Sequence, residues 1–304
     1  MPDVILVTGA TGKQGGGLID VLVRQNADVE ILAVTRDVSS PRAQKLKAKH
    51  PRVVLIQGDL DQPDNIFTNA KKATALPIWG VFSVQVRGSG GSNRDDVEER
   101  QGMGLVDVAL KNNIQFFVYS SVDRGGDASF NNPTIVPQFT SKHRIEHHLV
   151  EKCQGSEMAW AILRSVYFME NINPSMTGKT LTTSWKTVVK DRPLQLLSVT
   201  DIGFFAAQAF TAPAQWRYKS ISLAGDQLTF NEMAKVFKDK KNRNPPMTFD
   251  YVSSLYLWWV KDHASMFRWC RESGFRADIP AARTLYPSLK SFAAWLESDS
   301  GSVG

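Results

Sequence analysis

The sequence predicts an α/β protein built on a doubly wound parallel sheet, and three observations carry that expectation. Short β-branched runs alternate with helix-period stretches through the first 165 residues. A glycine-rich turn, Gly9 to Gly15, falls between the first of those runs and the first helix. The chain is also long enough, at 304 residues with 42% hydrophobic side chains, to bury roughly 75% of its unfolded surface without disulfides or metal. Strand–helix alternation of this kind places helices on both faces of a parallel sheet.

Taken in order, the strand signals are Val4 to Thr8, Glu30 to Thr35, Val53 to Gln57, Val81 to Val84, Phe116 to Ser120 and Ala159 to Leu163. Helical segments between them include Gly15 to Arg24 and Val97 to Leu110. After Arg164 the pattern changes. Isolated strand signals, Leu194 to Val199 and Ile221 to Leu223, are mixed with helical stretches and Pro/Gly breaks. Thr229-Phe230-Asn231-Glu232 has the spacing of a capping box and opens a helix through Phe237. These signals divide the chain into residues 1–165 and a smaller mixed α/β lobe, 166–304, with segments near 194–203 and 221–226 expected to pack back on the first domain. The Ser/Gly tail after Glu297 is expected to fray.

Composition excludes several classes. The hydrophobic and charged fractions, 42% and 22%, are those of a folded globular chain rather than a disordered one. Thirty-six basic against 30 acidic residues leave +6, but the basic runs are short. Acidic residues interrupt the run from Arg94 to Arg100, and none has interleaved aromatics, which argues against direct nucleic-acid binding. Two cysteines, Cys153 and Cys270, fit a reducing compartment. There is no 18-residue apolar run and no basic n-region at the start, so the expectation is a protein away from membranes, cytoplasmic, with the nucleus as the other compartment.

The strongest local signal is Gly9-Ala10-Thr11-Gly12-Lys13-Gln14-Gly15. Glycines at this spacing turn the chain tightly, and they bring backbone N–H groups and a helix N-terminus against a pyrophosphate, as in a Rossmann domain. Gly9, Thr11, Gly12, Lys13, Gln14 and Gly15 are therefore candidate cofactor residues. The tip of the second strand reads Thr35-Arg36-Asp37. An NAD site usually has an acid there, whereas the planar fork of Arg36 suits a 2′-phosphate, which selects NADP(H). Asp59, after the third strand, either lies near the adenine or belongs to a turn and helix cap.

With these motifs the chain resembles the NmrA-like family, an atypical branch of the short-chain dehydrogenase/reductases. The resemblance extends through Gly58-Asp59, the helix from Glu98 to Gly102, Leu163-Arg164-x-x-x-Phe168-x-Glu170-Asn171, Val199-Thr200-Asp201-Ile202-Gly203 and Leu223-Ala224-Gly225-Asp226-x-Leu228-Thr229. It spans about residues 3 to 297. It implies either an NADPH-dependent reductase acting on a small apolar or aromatic molecule, or a non-catalytic NADP(H) redox sensor and transcriptional co-regulator working through a protein partner.

The Tyr-x-x-x-Lys frame of ordinary short-chain dehydrogenases reads Gln138-Phe139-Thr140-Ser141-Lys142 here. The lysine is kept; glutamine, which exchanges no proton near neutrality, replaces the tyrosine. In the enzymatic reading Lys142 orients the nicotinamide ribose or donates a proton. Ser121 bonds a substrate oxygen and Tyr119 assists. In the sensor reading Lys142 grips the ribose and occupancy reshapes a partner surface. A purely helical Lys142–Glu146 pair is the plain alternative.

Tyr167, Phe168 and Asn171, with Met169, follow the sixth strand, where such folds open toward a cleft. They are the candidate substrate residues. Trp185, Tyr256, Trp258 and Trp259 either line that cleft or form the lobe's core. The loops Val86 to Asp95 and Asp123 to Pro137 are candidate covers. His143-Arg144-Ile145-Glu146-His147 matches an inverted zincin pattern, but it directly follows the frame lysine, so no metal is expected.

Overall fold

The computed structural model describes residues 2–85 and 94–298. The elements β1 (Asp3–Val7), α1 (Lys13–Arg24), β2 (Val29–Thr35), α2 (Pro41–Lys49), β3 (Val54–Gln57), α3 (Pro63–Ala73), β4 (Ile78–Ser83), α4 (Arg94–Lys111), β5 (Phe116–Val122), α5 (Pro137–Lys152) and β6 (Ala159–Ser165) follow in the alternation the sequence predicts. Shorter pieces come next: β7 (Tyr167–Phe168), α6 (Met176–Ser184), β8 (Leu194–Leu197), α7 (Val199–Thr211), α8 (Pro213–Trp216), β9 (Lys219–Leu223), β10 (Asp226–Leu228) and α9 (Phe230–Lys241). The last helices are α10 (Asp250–Trp259), α11 (Lys261–Glu272), α12 (Ile279–Leu285) and α13 (Phe292–Ser298).

The main sheet has seven strands in the order β3-β2-β1-β4-β5-β6-β9. β1 runs parallel to β2, with Asp3 opposite Val29 and Val7 opposite Ala33, and parallel to β4 on its other side. The chain therefore winds outward from β1 to β3, then returns to β4. That reversal leaves a crevice at the carboxyl ends of β1 and β4, the place where open α/β sheets bind ligands.

Compact units are drawn from interleaved stretches of the chain. The first comprises Met1–Ser121, Ser141–Leu163 and Ile202–Ser220; the second comprises Val122–Thr140, Arg164–Asp201 and the chain from Ile221 onward. Most of α7 and all of α8 thus belong to the first unit, while β8 and β10 belong to the second.

In the first unit, alternate residues of the strands feed opposite faces. Val4, Leu6, Leu32, Val34, Phe117 and Tyr119 join one buried cluster with Ile66 and Phe67 of α3, Leu105 and Val106 of α4, and Ile145 and Leu149 of α5. On the other face, α1 and α7 meet backbone to backbone. A Cβ on Gly203 would stand 2.6 Å from the carbonyl carbon of Gly17, so the Asp201-Ile202-Gly203 motif has a packing reason. Phe210 of α7 lies edge-on to Phe116, with ring centroids 6.0 Å apart.

The second unit has a small sheet in the order β10-β8-β7, antiparallel at the first pair and parallel at the second. Tyr167, Trp185, Phe267, Phe292 and Trp295 are part of its core. Glu170 ties this core together, accepting from Ser198 Oγ at 3.1 Å, Val199 N at 3.0 Å and Trp295 Nε1 at 3.1 Å. Those bonds to residues 198 and 199 explain why the expected strand 194–199 stops at Leu197: they satisfy helix-start polar groups, and α7 begins at Val199. The capping box at Thr229 forms as expected, with Thr229 Oγ1 accepting from Glu232 N and Thr229 N donating to Glu232 Oε2.

Asp123 to Pro137, a candidate cover, is held at its start by two buried charges. Asp123 accepts backbone N–H bonds from Gly126 at 2.7 Å and Arg276 at 2.9 Å. The Arg124 guanidinium donates to the carbonyls of Val122, Ser129 and Asn132. The loop Val86 to Asp95 lies largely outside the described residues.

Candidate functional site

The glycine loop leaves β1 at Thr8, whose hydroxyl bonds the backbone at the end of β4 and just past it: Oγ1 lies 3.1 Å from the carbonyl of Phe82 and accepts from Val84 N at 2.9 Å. Gly9 then turns left-handed, with φ +59°. A Cβ on Gly9 would stand 2.7 Å from Val84 Cγ1, and one on Gly15 would stand 2.6 Å from the Gly9 carbonyl oxygen. The chain therefore doubles back on itself at van der Waals contact, and only glycine permits it.

That turn presents the N-terminus of α1. Gly12 caps it without a side-chain acceptor, and no acidic residue sits in the first turn. The first helical position is Lys13, a cation where the helix dipole disfavours one. An anion at this end would satisfy both the free N–H groups and the misplaced lysine. Thr11 is half-buried beside the turn, and Gln14 accepts a hydrogen bond from the Ser120 hydroxyl of β5. Arg36 is exposed beyond the tip of β2, and Asp59 is exposed beyond β3, where its carboxylate accepts from Asp61 N at 3.0 Å. Asp59 thus closes a local turn, while the N-cap of α3 is Gln62.

Lys142 rises from α5. Its Nζ lies 2.8 Å from Glu98 Oε1 of α4, 3.4 Å from the carbonyl oxygen of Ser120 and 5.6 Å from the centre of the Tyr119 ring. Glu98 is buried and also accepts from Ser141 Oγ at 3.3 Å. The lysine's ion-pair partner is therefore Glu98, not Glu146 one turn along its own helix. Glu146 is buried and accepts from the Ser121 hydroxyl. Tyr119 and Ser121 share one face of β5, and Ser120 points to the other.

Sequence reasoning did not pair Lys142 with Glu98, and it offered Glu146 to Lys142 rather than to Ser121. The signal that could have found Glu98 is Gly102, a helix-interior glycine that marks a close approach. A Cβ there would stand 2.5 Å from Ile145 Cδ1, and this closeness lets α4 carry Glu98 to Lys142.

Of the substrate candidates, all in the second unit, Tyr167 is buried against Trp185 and Phe267, with ring centroids 6.2 and 6.1 Å away. Burial pushes its phenol well above the ordinary tyrosine range. Phe168 and Asn171 are half-buried. Trp185 is core, whereas Trp258 and Trp259 are exposed. The His143 and His147 rings lie 4.3 Å apart, tilted by 43°, and His148 pairs with Asp107 at 2.8 Å. Among the described residues, no group of three His, Cys, Asp or Glu side chains is placed to hold a metal ion, and no helix is long and apolar enough to cross a membrane.

A parallel sheet with this strand order, and a glycine turn feeding α1 at its switch point, defines a Rossmann-type α/β protein. The chain belongs to the NmrA-like family, whose model matches residues 1–271. An NmrA-like family domain-containing oxidoreductase of Aspergillus hancockii is 25% identical over 270 residues, covering 81% of this chain and 77% of that one. Among solved structures, Citrobacter sp. triphenylmethane reductase complexed with NADP(H) superposes with a TM-score of 0.72 at 17% identity, over 97% of this chain and 99% of the other. NmrA, a negative transcriptional regulator, gives 0.70 at 18% identity, over 100% and 99%.

Proposed function

We propose that the protein binds NADP(H) and is an NADPH-dependent reductase of a small apolar or aromatic substrate. The observation that carries the cofactor is the turn itself. Gly9 and Gly15 occupy positions that a Cβ would fill, before an α1 N-terminus that no side chain caps. Gly12 and the N–H groups of Lys13 and Gln14 would hold the pyrophosphate, and Arg36 the 2′-phosphate. Bound there, NADPH supplies a hydride.

Lys142, fixed by Glu98, is the cation available to orient a ribose hydroxyl on the β5 side. The Ser121 hydroxyl, already given to Glu146, is a secondary candidate that must leave this bond before it can meet substrate. Support for the reductase comes from the oxidoreductase named in Aspergillus hancockii and from the NADP(H)-bound triphenylmethane reductase. The second reading, a redox sensor meeting a protein partner, is favoured by Gln138 at the tyrosine position and by the likeness to a transcriptional regulator.

The test is a fluorescence titration followed by a turnover assay. Arg36→Ala is expected to weaken NADPH at least tenfold and NADH less than twofold; equal losses would refute the 2′-phosphate assignment. Loss of NADPH absorbance with aromatic ketones, imines or quinones supports the reductase. Tight binding with no turnover across that panel favours the sensor.

A further inference from the structure

We propose that the first unit carries a second small-molecule site, at the end of its sheet opposite the glycine loop, which takes a small amphipathic monocarboxylate. A cavity of about 280 Å³ opens there. Its apolar wall is built by Leu22 and Val23 from the last turn of α1, Val29 and Ile31 from the start of β2, and Val53 just before β3. Leu22, Ile31 and Val53 are buried and form its floor. Because the strands are parallel, their amino ends here and their carboxyl ends at the glycine turn lie at opposite ends of the sheet. The 12-residue α1 spans between them, about 18 Å of helix.

The mouth is cationic. Lys49, the last residue of α2, its cap His50, and Arg52 line it. Asp20 already serves two of these: both its oxygens lie 2.7 Å from Lys49 Nζ, and Oδ1 lies 2.5 Å from His50 Nε2. Lys47 is spent on the carbonyls of Pro51 and Val53, at 2.9 and 2.8 Å, which holds the turn closed. Arg52 is exposed and has no carboxylate partner among the described residues. A fork-shaped donor without an acceptor, over an apolar floor, calls for a carboxylate head with a hydrocarbon tail. The volume equals the share of about nine water molecules in the liquid, which is room for a tail of roughly six to eight carbons.

The experiment is isothermal titration of the full chain with octanoate, hexanoate and octan-1-ol, with NADPH affinity measured alongside. Octanoate is expected to bind one to one, at least tenfold tighter than octanol, with about a fourfold gain for each methylene buried. Arg52→Gln is expected to weaken octanoate about tenfold while leaving octanol and NADPH unchanged. Val23→Trp, at a half-exposed position on the rim, is expected to weaken both octanoate and octanol by narrowing the cavity. The proposal is overturned if octanoate shows no saturable binding, if octanol binds as tightly, or if neither variant changes octanoate affinity.

Discussion

Replacing Gly15 by alanine puts a methyl group 2.6 Å from the Gly9 carbonyl oxygen, 2.7 Å from its carbon and 2.8 Å from the Thr8 carbonyl oxygen. All three atoms are backbone, so none can swing aside. Reaching ordinary contact at 3.4 Å requires the loop to retreat by about 0.8 Å. Such a retreat pulls on the Gly12 N–H bond to the Gly9 carbonyl, now 2.9 Å, worth about 1 kcal/mol. Overpacking adds roughly 1–3 kcal/mol, while alanine returns about 1 kcal/mol of helix propensity. The net expectation is a loss of about 1–3 kcal/mol. Gly16→Ala is the control: it carries the same propensity gain, and its Cβ meets only the Ala10 carbonyl at 3.3 Å. Urea denaturation should rank Gly15→Ala below both Gly16→Ala and the parent chain, and NADPH titration should show a loss of tenfold or more for Gly15→Ala alone. A Gly15→Ala protein as stable as the Gly16→Ala control, with parental nucleotide affinity, would refute the close-packed cradle.

Other outcomes follow from the same geometry. Glu98→Gln keeps the shape of the side chain but removes the charge facing Lys142; because the lysine is 20% exposed, the expected cost is about 1–3 kcal/mol in chemical denaturation, accompanied by weaker NADPH binding. Partial burial tends to raise the Asp20 carboxyl, but Lys49 and His50 outweigh it and hold the group below its ordinary range. Its stabilising contribution is therefore present above about pH 4 and is lost as pH falls through the lowered value, so the stability gap between the parent and Asp20→Asn should close in acid and open toward neutrality. Thr229→Ala removes the acceptor for Glu232 N and should cost about 1 kcal/mol, read as a lower urea midpoint with an unchanged slope.

Strand–helix alternation up to residue 165 was legible because each segment carries its own period, and the glycine turn because its three spaced glycines sit between two such segments. The expected strands differ from the observed ones mainly at their ends. β4 begins at Ile78 rather than Val81, since pairing with β1 at Val4 and Ile78 extends it. The capping box at Thr229 was legible for the same local reason: its two partners are three residues apart. What escaped was every interaction between distant segments. The partner of Lys142 is 44 positions upstream rather than four downstream, because the Gly102–Ile145 contact closes α4 on α5. Glu170 and Asp123, read from sequence as motif and loop residues, turn out to hold the second unit's backbone.

The aromatics of the second unit show the same division. Tyr251, Leu255, Trp258 and Trp259 recur at helical spacing along one face of α10, and two of them, Trp258 and Trp259, were candidates for the cleft or the core. Ser253 of that helix instead meets Ser184 of α6 at 2.8 Å, and the stripe faces outward, with Trp259 80% exposed. The sequence by itself determined the fold class, the family and the glycine turn, since these rest on local period and on glycines that no other residue can replace. Only the tertiary structure decided which carboxylate holds Lys142, which aromatics are core, and where the cavity beside Arg52 opens, because packing brings together groups that chain spacing leaves unrelated.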